Sequence, residues 1–244
     1  GGYDGTVEEL YFGGGAAALR RGYNVLAFDG PGQGGVLLEQ HLAMRPDWEK
    51  VVTPVVDYAL SRPEVDPRRM TLIGRSWGGY LAPRAAAFEH RLAALIADPG
   101  LYSLGGASKA MFPQSLQEAI DQGDATTLKP IFDQLMQNPS LAFTFNRGML
   151  VHGVETPWDY IRAMAPYSLE GLASQIACPT LITQAENDLR ASQSQELLAA
   201  LTCPKTLVDF TNAEGAGEHC EGGAGSLFAQ RAFDWLDGVM ATRA

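Results

Sequence analysis

Five short apolar runs, each bounded by glycine, proline or charge, set the architecture before any single residue is considered. They are Asn24–Asp29 (NVLAFD), Met70–Gly74 (MTLIG), Leu92–Asp98 (LAALIAD), Thr180–Gln184 (TLITQ) and Thr206–Phe210 (TLVDF). Unbroken apolar runs of this length are characteristic of strands buried on both faces. Amphipathic stretches separate them, which is the βαβ rhythm of a mainly parallel sheet flanked by helices, an α/β fold. Thr6 with Glu9 three residues later reads as a capping box that opens a helix running to about Arg21. Further helices are expected over Trp48–Ser61, with Pro63 beyond the end, and over Ser76–Phe88, Ser192–Leu201 and Gly225–Met240.

Between Gly100 and Cys178 the rhythm changes to helical periodicity with no convincing strand. This stretch reads as a helical cap inserted between two late strands. The chain then divides into residues 1–100 (first part of the core), 101–177 (cap) and 178–244 (second part of the core). The cap's aromatic and methionine side chains either form its own core or line a pocket. Met149 and Trp158 among them are candidate substrate contacts.

Composition narrows the partners. The 244 residues carry 18 basic and 28 acidic side chains, a net charge of −10. That argues against nucleic acid or anionic lipid as the main partner. No apolar run is long enough to span a membrane. Cys178, Cys203 and Cys220 form no CxxC pair and are too few for a disulfide framework; Cys178 and Cys203, each preceding Pro at a strand start, are expected reduced. No signal-peptide pattern opens the chain, and a cytoplasmic location is the default expectation. A small-molecule substrate is the expected partner, with a homodimer left open. No metal or cofactor is called for.

The sharpest local signal is Gly74-Arg75-Ser76-Trp77-Gly78-Gly79, which follows an apolar strand and opens a helix. Gly-x-Ser-x-Gly in that setting is a nucleophile elbow: a strained turn exposes the serine hydroxyl at the carboxyl edge of the sheet. Flanking glycines remove the Cβ atoms that so tight a turn excludes. The Trp77 N–H points to the same place and is a candidate oxyanion donor. A serine hydroxyl is a weak nucleophile and needs an oriented base.

Of the four histidines, His41 precedes the serine, His90 ends the serine's own helix and His152 lies in the cap. His219 follows the last strand in a glycine-rich loop and is the candidate base. The acid belongs after a strand between Ser76 and His219. Asp188 is the first choice, with Asp98 and Glu186 as alternatives. The Cys220 thiol beside His219 reads as packing.

These motifs, together with Gly1-Gly2-Tyr3-Asp4-Gly5-Thr6, Asp29-Gly30-Pro31-Gly32-Gln33-Gly34 and Gly217-Glu218-His219-Cys220, resemble the α/β-hydrolase superfamily. Within it they resemble the branch of dihydroxypseudooxynicotine hydrolase, the fungal polyketide chain-shortening hydrolases and the fermentation–respiration switch proteins. The resemblance implies a Ser-His-Asp hydrolase with a helical cap, acting on an ester, amide or ketone-activated C–C bond. It also implies a second oxyanion donor at Gly2 or Tyr3. Asp4 beside that donor is either a turn residue or a substrate contact, and Asp29–Gly32 a structural turn.

In this fold the Gly1-Gly2 loop follows a central strand. The N-terminal strands are therefore expected to be missing from residues 1–244, the remainder belonging to the same, longer chain. These residues alone are not expected to form a stable monomer. Two other functions share the motifs: an acyltransferase or cyclase using the same triad, and a non-catalytic ligand-binding module.

Overall fold

Four of the five apolar runs become strands, and they pair in chain order. Thr71–Arg75 (β1), Ala94–Asp98 (β2), Thr180–Ala185 (β3) and Lys205–Phe210 (β4) form one parallel sheet ordered β1-β2-β3-β4. Gly74 lies opposite Ala97, Ile96 opposite Leu181, and Ile182 opposite Leu207. The computed structural model describes residues 1–242, apart from the side chains of Ala107 and Ser108.

Helices cover both faces, and the two-residue period of the strands decides which side chain meets which layer. Before β1 come α1 (Val7–Leu10), α2 (Ala16–Arg20), α3 (Gly34–Leu38) and α4 (Glu49–Leu60); α5 (Gly78–Ala86) joins β1 to β2. After β3 come α11 (Ala191–Ala200) and, beyond β4, α12 (Gly225–Ala241). Leu95, Ala97 and Ile182 pack with Tyr80 and Leu81 of α5 and Leu197 of α11. Ile96 and Leu181 point the other way, toward Phe228 and Ala232 of α12.

Between β2 and β3 lie α6 (Leu104–Ala110), α7 (Gln114–Gln122), α8 (Ala125–Leu135), α9 (Pro139–His152) and α10 (Pro157–Met164). Their ends are set by local chemistry. Asp124, Asn138 and Thr156 accept amide hydrogen bonds at the starts of α8, α9 and α10, and Gly123 and Gly153 close α7 and α9 at φ of +67° and +63°. Phe132, Phe145, Trp158 and Ile161 form the cap's own core. Among the described residues no helix is long and apolar enough to cross a membrane.

Two expectations are corrected. The Thr6 capping box does not form, because the Thr6 hydroxyl donates to Glu8 Oε2 at 2.5 Å. The single helix expected there is also broken by a π turn over Tyr11–Gly15, where glycines let the backbone open and Gly14 takes φ of +154°.

The fifth run, Asn24–Asp29, is not a strand. Val25 and Leu26 are 43% and 50% exposed. A cleft of about 1090 Å³ separates this run from β1, lined by Val25, Leu26 and Phe28 on one side and Leu72 and Ile73 on the other. Apolar composition makes a strand only where a neighbour completes the ladder, and none reaches across the cleft. Gly1 lines the same cleft. β1 is thus paired on one side and β3 on both. In native-state hydrogen exchange, the β1 amides directed at the cleft are expected to exchange at least about 10³-fold faster than those of β3. Equal protection of the two strands would show that the edge is not open.

Candidate active site

The turn from β1 into α5 leaves no room for side chains. A Cβ on Gly74 would run into the Gly78 carbonyl, and one on Gly79 into the Pro99 carbonyl. Ser76 at the apex takes φ of +57°, a left-handed conformation that L-residues pay to adopt. The Gly1-Gly2 loop abuts this apex: a Cβ on Gly2 would lie 2.8 Å from Ser76 Cβ. The loop is held by buried Gln33, whose Nε2 donates to the carbonyls of Gly1 at 2.9 Å and Gly2 at 3.1 Å. The Gln33 Oε1 in turn accepts from the Gly30 amide at 3.0 Å. The Asp29–Gly32 turn is therefore a support for the loop beside Ser76.

Three elements bring their ends together here. Ser76 Oγ lies 2.9 Å from His219 Nε2, and His219 Nδ1 lies 2.5 Å from Asp188 Oδ2. Asp188 follows β3 and is buried, while the His219 side chain is 40% exposed, so solvent reaches the imidazole. Burial pushes the Asp188 carboxyl up. Hydrogen bonds from His219 and the Arg190 amide, with the charges of those residues, outweigh burial and hold it below the usual carboxylate value.

The neighbours of Asp188 tie its loop to that of His219. Asn187 and Asn212 exchange side-chain amide hydrogen bonds at 2.8 and 3.0 Å, and Asn187 also donates to Glu218. Glu186 accepts from the Asn212 amide at 2.7 Å. Asp98, the other alternative acid, is fully buried and directed at Thr183 and Arg75. Cys220 is buried, and none of the three cysteines forms a disulfide.

The cap meets the core through rings. Tyr3 lies edge-on to Trp77 with centroids 4.6 Å apart, and His152, Tyr160 and Tyr167 complete the cluster. Asp4 pairs with Arg147 of α9 at 2.7 Å, and that guanidinium stacks over Tyr3. The pairing neutralises a carboxylate that would otherwise oppose negative charge near Gly2. Met149 is half-buried on α9, and Trp158 belongs to the cap core beside Phe132.

Gln33, Arg147 and His152 are site residues that the sequence did not single out. Only Gln33 carried a signal, inside a glycine-rich turn. Arg147 and His152 both approach Tyr3 from α9, and nothing local marks either as meeting the core.

A family model described as the alpha/beta hydrolase family matches residues 2–232. The chain belongs to the alpha/beta hydrolase family. Its relatives include the 20-hydroxy-prefusarin hydrolase FUS2 of Gibberella moniliformis, 38% identical, and the hydrolase LUC6 of a Fusarium species, 36% identical; each alignment covers 100% of this chain. The hydrolase acrC of Aspergillus aculeatus is 35% identical over 97% of this chain. The chain spans 61% of the length of the first two and 58% of the third. Among solved structures, 2,6-dihydroxy-pseudo-oxynicotine hydrolase shares the fold with a TM-score of 0.73 at 24% identity, over 98% of this chain and 58% of that one.

The ring cluster gives this family member a pH dependence of its own. His152 is 8% exposed, and burial lowers its pKa to about 4. Its folded value lies below the unfolded one of about 6.5, so the unfolded chain binds the extra proton between them. The stability from neutral His152 is present above about pH 6.5 and is lost as pH falls through 4, up to about 3 kcal/mol. Urea melts at pH 7 and pH 4 are expected to differ less in His152→Phe than in the parent. An equal pH dependence in both would assign the loss to other groups.

Proposed function

We propose that the chain is the catalytic part of a serine hydrolase that works through an acyl-enzyme. Its substrate is an ester, amide or ketone-activated C–C bond of an apolar or aromatic small molecule. The observation that carries this reading is the continuous hydrogen-bonded line Ser76 Oγ, His219, Asp188 on a strained turn.

Ser76 Oγ attacks the carbonyl as His219 Nε2 takes its proton. Asp188 holds the imidazole tautomer and stabilises the imidazolium. The amide of Trp77, with one at Gly2 or Tyr3, receives the developing oxyanion. The imidazolium then protonates the departing oxygen, nitrogen or carbon, and water activated by the same imidazole releases the acyl group. The side chains of Tyr3 and Trp77 beside the serine favour an apolar or planar acyl group. One relative's name, 20-hydroxy-prefusarin hydrolase, is in keeping with a small-molecule substrate.

The test is labelling with a fluorophosphonate probe, followed by peptide mapping. Modification of Ser76 at an appreciable rate, abolished by prior reaction with a small serine-directed inhibitor, is the expected result. No labelling of a folded chain would exclude an activated serine and favour a ligand-binding role.

A further inference from the structure

Beneath the Ser76–His219 pair lies a second acidic group that this mechanism does not use. Asp98 ends β2 with no exposed surface, and Glu221, two residues after His219, is 1% exposed. We propose that Glu221 and Asp98 form an acid–acid clamp that positions His219 over Ser76, making Glu221 a positioning residue for the reaction. The inference rests on the Ser76–His219–Asp188 reading.

The turn that carries His219 is strained where the clamp sits. Cys220 and Glu221 take φ of +51° and +50°, yet neither is glycine, although Gly222 and Gly223 follow. Side chains kept at such positions are kept for what they touch. Both are buried: Cys220 Sγ lies 3.5 Å from the Asp98 carbonyl, and the Glu221 carboxyl interacts with the Asp98 carboxyl.

Asp98 serves the serine as well, since its carbonyl accepts from the Ser76 amide at 2.6 Å. Arg75, the residue before the nucleophile, donates to the Cys220 carbonyl at 2.5 Å and lies 3.4 Å from Asp98 Oδ2. The nucleophile turn and the histidine turn are therefore referred to one buried residue.

Charge balance decides the protonation of the clamp. The groups facing it are Arg75 from β1, the Thr183 hydroxyl from β3 donating to Asp98 at 2.8 Å, the Cys220 thiol and the His219 ring. Among the described residues facing the pair, Arg75 is the permanent cation against two buried carboxyls, and two carboxylates so placed cannot both ionise. Asp98 Oδ2 and Glu221 Oε2 also lack a conventional hydrogen-bond donor among the described residues, as facing carboxyl oxygens do until a proton joins them. Burial and the Asp98 charge push Glu221 up to about 9. Burial pushes the Asp98 carboxyl up as well, so at neutral pH the pair holds a proton between Glu221 and Asp98. Losing that proton replaces an attraction with a repulsion directly under the histidine turn.

The test compares Glu221→Leu and Glu221→Gln, with kcat and KM for a p-nitrophenyl ester measured from pH 6 to 10. Glu221→Leu removes the donor and is expected to lower kcat by about 10²-fold, the cost of a small misplacement of a catalytic group, with KM within about twofold. Glu221→Gln keeps a donor of the same shape that cannot ionise. It is expected to restore kcat to within about threefold and to lack the fall in rate expected of the parent near pH 9.

A Glu221→Leu variant with parental kcat, or a folded Glu221→Gln variant that keeps the parental alkaline fall, would overturn the clamp. Should Glu221→Leu not fold, the pH profile of Glu221→Gln decides alone. Failure of the triad reading is seen separately, as a parent chain in which the fluorophosphonate does not modify Ser76.

Discussion

Replacing Ser76 with alanine is expected to lower kcat for a p-nitrophenyl ester by at least about 10⁴-fold while leaving the thermal unfolding temperature close to the parental value. The magnitude follows from what is removed. Without Oγ there is no atom within reach of His219 Nε2 to attack a carbonyl, and the imidazole at 2.9 Å has no proton to take. Residual catalysis then comes only from the amides around the apex and from binding. The fold is expected to persist, because Ser76 fills no core volume. Its strained φ of +57° costs as much with alanine, and its amide still donates to the Asp98 carbonyl. A Ser76→Ala chain with the parental rate would transfer the nucleophile to another residue and remove the basis of the proposed mechanism.

The sequence was most legible where one short segment determines its own geometry. Gly74-x-Ser76-x-Gly78-Gly79 announces its turn because only glycine fits at 74 beside the Gly78 carbonyl and at 79 beside the Pro99 carbonyl, and the turn stands where it was expected. Strands β1 to β4 fall within a few residues of their apolar runs, and the stretch whose periodicity reads as helical carries α6 to α10.

Legibility failed where a partner distant in sequence decides the outcome. Asn24–Asp29 has a strand's composition but no ladder neighbour, and no local signal reports that. The pairing of Asp4 with Arg147, 143 positions later, could not be read from the residues around either. Trp158 stood out as an aromatic candidate and lies inside the cap, because helical periodicity fixes which residues share a face but not what that face meets. Glu221 was hidden for the same reason: its partner Asp98 was weighed only as an alternative to Asp188.

That alternative is resolved most sharply by exchanging the two acids separately. Asp188→Asn is expected to lower kcat by about 10⁴-fold, because an amide at 2.5 Å from Nδ1 can donate to it, which favours the tautomer whose Nε2 carries the proton. An imidazole in that state cannot accept from Ser76. The loss is therefore one of chemistry and not of folding, and KM for a small ester is expected to stay within about threefold. Asp98→Asn keeps the carbonyl that holds the Ser76 amide and an acceptor for the Thr183 hydroxyl, but weakens the contacts with Arg75 and Glu221. Its cost is expected to be the smaller, about 10²-fold, as befits displacement of the histidine and not loss of its correct tautomer. Steady-state kinetics of the two variants at pH 7, each checked for a parental circular dichroism spectrum, measure the difference. If Asp98→Asn proves the more damaging of two folded variants, the acid that orients His219 is the one after β2, and the 2.5 Å contact with Asp188 is not the one the reaction uses.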